Sequence, residues 1–119
     1  SLYQYDMVIT ITSIRLKNLW KFSPLSLHAL KIIQQMKDQP GLLQFKKTGL
    51  GYLHYTLSAW ENEADMKRFS ASGAHLAAMK DTRKIASELS TYTFESDQIP
   101  DWKTAKQLLK ANGKTITLN

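Results

Sequence analysis

Apolar positions along the chain alternate between a period of two and a period near 3.6, and each switch of period marks an element. Residues 7–14 are mostly β-branched and contain neither Gly nor Pro, which predicts a strand. Ser23-Pro24 then reads as a helix start, with Ser as N-cap and Pro at the first helical position. Leu25, Ala29, Ile32, Ile33 and Met36 recur at helical spacing until Gln39-Pro40-Gly41 ends the run. Residues 42–47 and 53–60 are two further strand-like runs, and Gly49-Leu50-Gly51 between them predicts a hairpin turn.

Asn62 is placed to cap a second helical region that has Met66 and Phe69 on one face; Ser72-Gly73 interrupts it and helix resumes over 74–87. Residues 89–94 predict a fourth strand. Ile99-Pro100 breaks the chain before a cationic helix over 101–111, and residues 115–118 form a small last strand. The order β-α-β-β-α-β predicts a ferredoxin-like α+β domain: an antiparallel sheet with two helices on one face. Residues 1–119 make one domain, with 97–119 as a C-terminal appendage that includes the extra helix.

Such a sheet leaves one face bare, and parity divides the candidates. Leu53, Tyr55, Leu57 and Ala59 share one face of the third strand and are expected to meet the helices. His54, Thr56, Ser58 and Trp60 share the other, where Thr10 and Thr12 of the first strand join them. That hydroxyl-bearing row is the expected bare face, one suited to a half-buried pocket or a partner.

Composition narrows the classes of function. With no cysteine, disulfides, thiolate metal sites and Cys nucleophiles are excluded, which fits a cytoplasmic location. No apolar run is long enough to cross a bilayer, and no export signal opens the chain. The net charge is +6, of which residues 1–60 carry +5. These cations are scattered over three predicted elements without a stacking-aromatic motif, so nucleic acid is not the expected partner. Phosphate-cradling Gly-rich loops, His-Glu-x-x-His and nucleophile elbows are all missing from the sequence. Glu61, Glu63 and Asp65 sit at a helix start, where they offset the dipole rather than hold a metal.

Few residues have the chemistry for a site. His75, at the helix restart, is either a general acid/base or haem ligand, or a histidine bonded to backbone. His54 lies on the hydroxyl-bearing row; His28 on the first helix is expected to face solvent. Trp60 and Trp20 are large flat side chains that either pack at element ends or floor an aromatic pocket. Arg15, closing the first strand, is either an anion holder or a surface cation.

Residues 57–69, a strand ending in Trp60 followed by an acidic helix start and Phe69, resemble a stretch of the dimeric α+β barrel superfamily, the antibiotic biosynthesis monooxygenase-like proteins. Residues 72–79 continue the likeness to an uncharacterised branch. Arg15, Trp20, Pro40-Gly41-Leu42, Phe45, Lys47, Gly49 and Gly51 are also similar to spheroidene monooxygenases, which are haem-dependent. The resemblance spans roughly residues 5–96. It implies a homodimer that presses two bare sheet faces together, with a pocket between sheet and helices in each subunit. It implies a small hydrophobic or aromatic ligand bordered by Trp60, Phe69, Trp20, Arg15 and His54. His75 is then the expected catalytic base, or the axial ligand if haem is the cofactor; the alternative is a binding module without catalysis. Haem-degrading members carry a first-strand Asn, a helical Trp and a later His. This chain has threonines in the first strand and places Phe69 and Met79 near the other two positions, so that chemistry is not expected.

Overall fold

The computed structural model describes residues 6–71 and 73–118, the side chains of 74–76 excepted. Five strands form one antiparallel sheet in the order β2-β3-β1-β4-β5. They are β1 (Met7–Leu16), β2 (Leu42–Leu50), β3 (Leu53–Trp60), β4 (Ala86–Ser96) and β5 (Lys114–Thr117). A 3-10 turn (Leu19–Lys21) runs straight into α1 (Phe22–Met36); α2 (Glu63–Ser70) and α3 (Gly73–Ile85) join β3 to β4, and α4 (Trp102–Asn112) precedes β5. The expected βαββαβ order and its ferredoxin-like strand arrangement are present, with β5 added beside β4.

Local signals explain most boundaries. The Asn62 side chain accepts from the Asp65 N–H at 2.9 Å and caps α2. Asp101 caps α4 by accepting from the Thr104 N–H at 2.8 Å. Ser23, expected as the cap of α1, instead lies inside its first turn, because the 3-10 turn delivers the backbone into helix from Lys21 without a side-chain cap. Pro24 still falls in the first turn, where its missing N–H breaks no helical bond. The β2–β3 turn is also tighter than expected. Leu50 pairs with Leu53, Gly49 belongs to β2, and Gly51 supplies the positive φ of 65° that a two-residue turn needs.

The division of the sheet faces is the main correction. The hydroxyl-bearing row is not bare: α1 and α2 lie on it, with Val8 and Trp60 packed against Ile32, Met36, Met66 and Phe69. The Thr10 hydroxyl donates to Met66 Sδ at 3.0 Å across the same layer. The apolar row of Ile9, Ile11, Leu57 and Ala59 faces the opposite way and is wholly buried by α4, through Ala105 and Leu109 with Trp102 and Leu108 beside them. Parity identified both rows, but it does not say which layer covers which. The more polar row, bordered by Trp60, Leu42 and Phe45, has enough apolar surface to seat two helices. The appended helix then covers the apolar row, while the row expected to stay bare for a second subunit lies under α1 and α2.

The strap carrying α4 is anchored at its start. Lys46 Nζ donates to the Pro100 carbonyl at 2.7 Å and stands 5.1 Å over the Trp102 ring, while Lys106 stands 4.8 Å from the Tyr55 ring centroid. The backbone and hydroxyl hydrogen bonds from Thr104, with smaller help from Lys46 and Lys103, hold the Asp101 carboxyl below its ordinary 3.8. A lowered folded-state pKa means that the cap's contribution is complete above the ordinary value and is lost as pH falls through the lower one. Acid titration is therefore expected to loosen α4 below pH 3.8, read as loss of the Trp102 fluorescence signature, and Asp101→Asn should flatten that limb. An unchanged acid limb in Asp101→Asn would remove Asp101 as the anchor.

No helix among the described residues is long and apolar enough to cross a membrane.

Candidate functional site

The Gly49–His54 pairing at the hairpin end of the sheet generates the site. These residues face one another across β2 and β3, on the row that looks towards α1. A side chain on Gly49 would collide with the His54 ring and with its Cα, 2.7 Å from an added Cβ, so glycine here makes room for the imidazole. His54 Nε2 lies 2.9 Å from the Gly51 carbonyl oxygen. A carbonyl only accepts, so this contact places the ring proton on Nε2 and leaves the lone pair on Nδ1. The Phe22 ring closes over the imidazole, centroids 5.3 Å apart and tilted by 34°.

Around this pair lies a half-open cavity of about 250 Å³ between the sheet and the first turns of α1. Ile14, Phe22, Leu25 and Ala29 form its apolar walls, and Thr12, Thr56, Ser26, Lys47 and His54 bring polar groups to it. Lys47 and Gly49 are two apart on β2, so the ammonium-bearing side chain and the imidazole share one face. The arrangement can hold a flat apolar body, accept a proton at one nitrogen and offset a nearby negative charge. Among the described residues there is no group of three or more His, Asp or Glu that could hold a metal ion.

The residues singled out from sequence fall into separate places. His54 lines the cavity. Trp60 and Phe69 meet each other, centroids 5.4 Å apart, in the core cluster at the other end of the same layer. Trp20 is 88% exposed in the 3-10 turn, and Arg15 is exposed at the end of β1; neither lines the cavity. The backbone of residue 75 is within α3, but the His75 side chain lies outside the described residues. His28 is not a free solvent-facing group, since its Nε2 lies 3.2 Å from Asp81 Oδ2. Sequence reading passed over Phe22, Ser26 and Lys47 as wall and handle. The available signal was the Lys47-x-Gly49 spacing opposite His54 in a hairpin.

Haem does not fit this cavity. Its volume is below the roughly 300–1,000 Å³ of ordinary ligand pockets, and a tetrapyrrole exceeds most of their ligands. The one imidazole that lines the cavity has Nε2 committed to the Gly51 carbonyl.

No family model and no curated protein matches the sequence. Solved structures do match the fold. SnoaB, a cofactor-independent oxygenase from Streptomyces nogalater, superposes with a TM-score of 0.60 at 15% identity, over 81% of this chain and 99% of that one. Two proteins provisionally called antibiotic biosynthesis monooxygenases superpose more closely. The one from Nitrosomonas europaea has a TM-score of 0.67 at 15% identity, over 79% of this chain and 93% of its own. The one from Deinococcus radiodurans has 0.68 at 15% identity, over 80% and 97%. Nothing in these structures bears on spheroidene monooxygenase, and identities this low speak for architecture and not for substrate. The chain has the ferredoxin-like α+β fold that these antibiotic biosynthesis monooxygenase-like structures share.

Proposed function

We propose that the protein binds a small, flat, weakly acidic molecule of phenolic or enolic type in the cavity beneath α1, and that it promotes the molecule's oxygenation without a resident cofactor. The observation that carries this reading is the convergence of His54, Lys47, Thr12 and Thr56 on an otherwise apolar space. His54 Nδ1 takes the ligand's acidic proton, since Nε2 already holds one. Lys47 offsets the charge of the anion that remains, and Phe22, Leu25 and Ile14 hold its plane and keep water out. An electron-rich carbanion or phenolate of this kind reacts with dioxygen directly. A doubly activated CH2 becomes a carbonyl, one oxygen atom enters the product, and the other leaves as water with both hydrogens. The substrate supplies the electrons, and the protein supplies proton transfer, orientation and exclusion of solvent.

SnoaB's description as a cofactor-independent oxygenase supports the chemistry as one this architecture accommodates. The homodimer expected from sequence becomes a narrower proposal: two copies can pair through the apolar sheet face only if α4 leaves or exchanges.

Oxygen uptake with an anthrone, alongside titration of a naphthol, tests the reading. His54→Gln keeps a hydrogen-bonding side chain without a base, and uptake is expected to fall by about 10²–10⁴-fold while naphthol affinity changes little. Lys47→Met is expected to weaken the anionic ligand by roughly tenfold or more, the scale of one charge-assisted hydrogen bond. If neither probe binds, or if both variants behave as the parent protein, the cavity is not a site of this kind.

A further inference from the structure

One end of the molecule combines exposed apolar side chains, an excess of cations and the neighbourhood of the cavity. β1 ends at Leu16, whose N–H donates to the Tyr52 carbonyl at 2.7 Å, so the β2–β3 turn and the 3-10 turn stand side by side. From these two turns Trp20 is 88% exposed and Leu50 91% exposed, with Leu19, Phe22 and Tyr52 about half exposed. Phe22 is also a wall of the cavity, and His54 beneath it is four residues from Leu50. The apolar tips are therefore next to the site and not on a remote surface.

The charges are sorted along the same axis. Arg15, Lys17, Lys21 and Lys47 flank the two turns, and α3 ends beside them, Lys17 N–H donating to the Ile85 carbonyl at 3.0 Å. Arg83 and Lys84 in the last turn of α3 come to this end as well. Of the ten acidic residues, Asp81 and Glu88 lie on this half, and Asp81 is engaged by His28 at 3.2 Å and Lys84 at 3.8 Å. The others precede β1, follow α1 or β3, or lie at or beyond the end of β4, at the opposite end. The net charge of +6 is thus polarised: one acidic pole, and one basic pole tipped with Trp, Leu and Tyr.

We infer that this pole docks on the surface of an anionic membrane, with Trp20, Leu19 and Leu50 entering the headgroup region and Lys17 and Lys21 meeting lipid phosphates. Lone apolar tips amid lysines do not form the groove that a peptide helix or strand would need. They match the interfacial pattern in which Trp and Tyr sit at headgroup depth and cations face anionic lipid. The cavity end would then face the bilayer, from which an apolar ligand can enter without crossing bulk water. Docking does not require that the cavity hold any particular ligand, so vesicle binding and ligand binding can fail separately.

The test is co-sedimentation of the full chain with vesicles of phosphatidylcholine alone or with one-third phosphatidylglycerol. Binding to the anionic vesicles is expected, weakening with salt. Lys17→Gln and Lys21→Gln should each weaken it about fivefold, and Trp20→Ala with Leu50→Ser at least tenfold. Lys37→Gln, at the acidic pole, should have no effect. Brominated lipid should quench the unaltered protein's exposed Trp20, a readout that needs no variant. The inference is overturned if anionic vesicles are not bound, if Lys37→Gln weakens binding as much as Lys17→Gln, or if no quenching occurs. It is equally overturned if the chain binds polyglutamate but not vesicles, or if light scattering shows that Trp20 serves only to join two copies of this chain.

Discussion

Cutting the chain after Pro100 is expected to convert it into a species of at least twice the monomer mass. Ile9, Ile11, Leu57 and Ala59 are wholly buried, and the helix over them is α4, through Ala105 and Leu109. Burial of side chains of this size stabilises by about 1.5–3 kcal/mol each. Losing the cover of three of them removes an amount comparable with the roughly 5–15 kcal/mol that holds a whole domain together. An apolar patch of that kind on a sheet seeks another surface, and the nearest match is the same face of a second copy. Light scattering on the intact chain should give a mass near 13.6 kDa, and on the shortened chain a dimer or larger. Ala105→Glu tests the same contact without deletion, because an unpaired carboxylate cannot remain against that face and α4 must leave. A shortened chain that stays monomeric with an unchanged melting temperature would show that α4 is not the cover that matters.

The same helix shows where the sequence was readable and where it was not. The caps of α2 and α4 depend on residues three apart, Asn62 with Asp65 and Asp101 with Thr104, so they could be read from the string of letters alone. Strand order follows from the βαββαβ succession, which is that of the ferredoxin-like arrangement. The face assignment did not follow, because Leu53–Ala59 and His54–Trp60 are both partly apolar rows and the competing covers are far apart in sequence. The site inherited that error. His54 was placed on a bare face awaiting a partner, whereas α1 brings Phe22 to within 5.3 Å of it. Trp20 joins the expected pocket only through its flat aromatic side chain and the family resemblance, and the 3-10 turn that places it has no periodic signature to correct this. It is that turn which points Trp20 into solvent while Phe22, two residues later, is brought onto the cavity.

Trp60 separates a packing role from a binding role most sharply. It is 1% exposed, stacked in tilted fashion on Phe69, and surrounded by Val8, Met36 and Leu42. Trp60→Ala removes the largest fully buried side chain and is expected to cost about 3–5 kcal/mol, read from urea denaturation. Trp60→Phe should cost much less than its loss of volume suggests. The indole Nε1 is buried and finds no hydrogen-bond partner among the described residues, and leaving such a donor unpaired costs about 1–3 kcal/mol. Phenylalanine removes that donor while keeping a ring against Phe69, so the two changes offset one another. Because Trp60 does not line the cavity of His54 and Lys47, naphthol affinity should stay within about twofold of the parent in the Phe variant, below the effect of any lost hydrogen bond. The opposite pattern, stability kept and naphthol binding lost, would mean that Nε1 is held for a ligand and that the binding site lies at the Trp60 end of the layer.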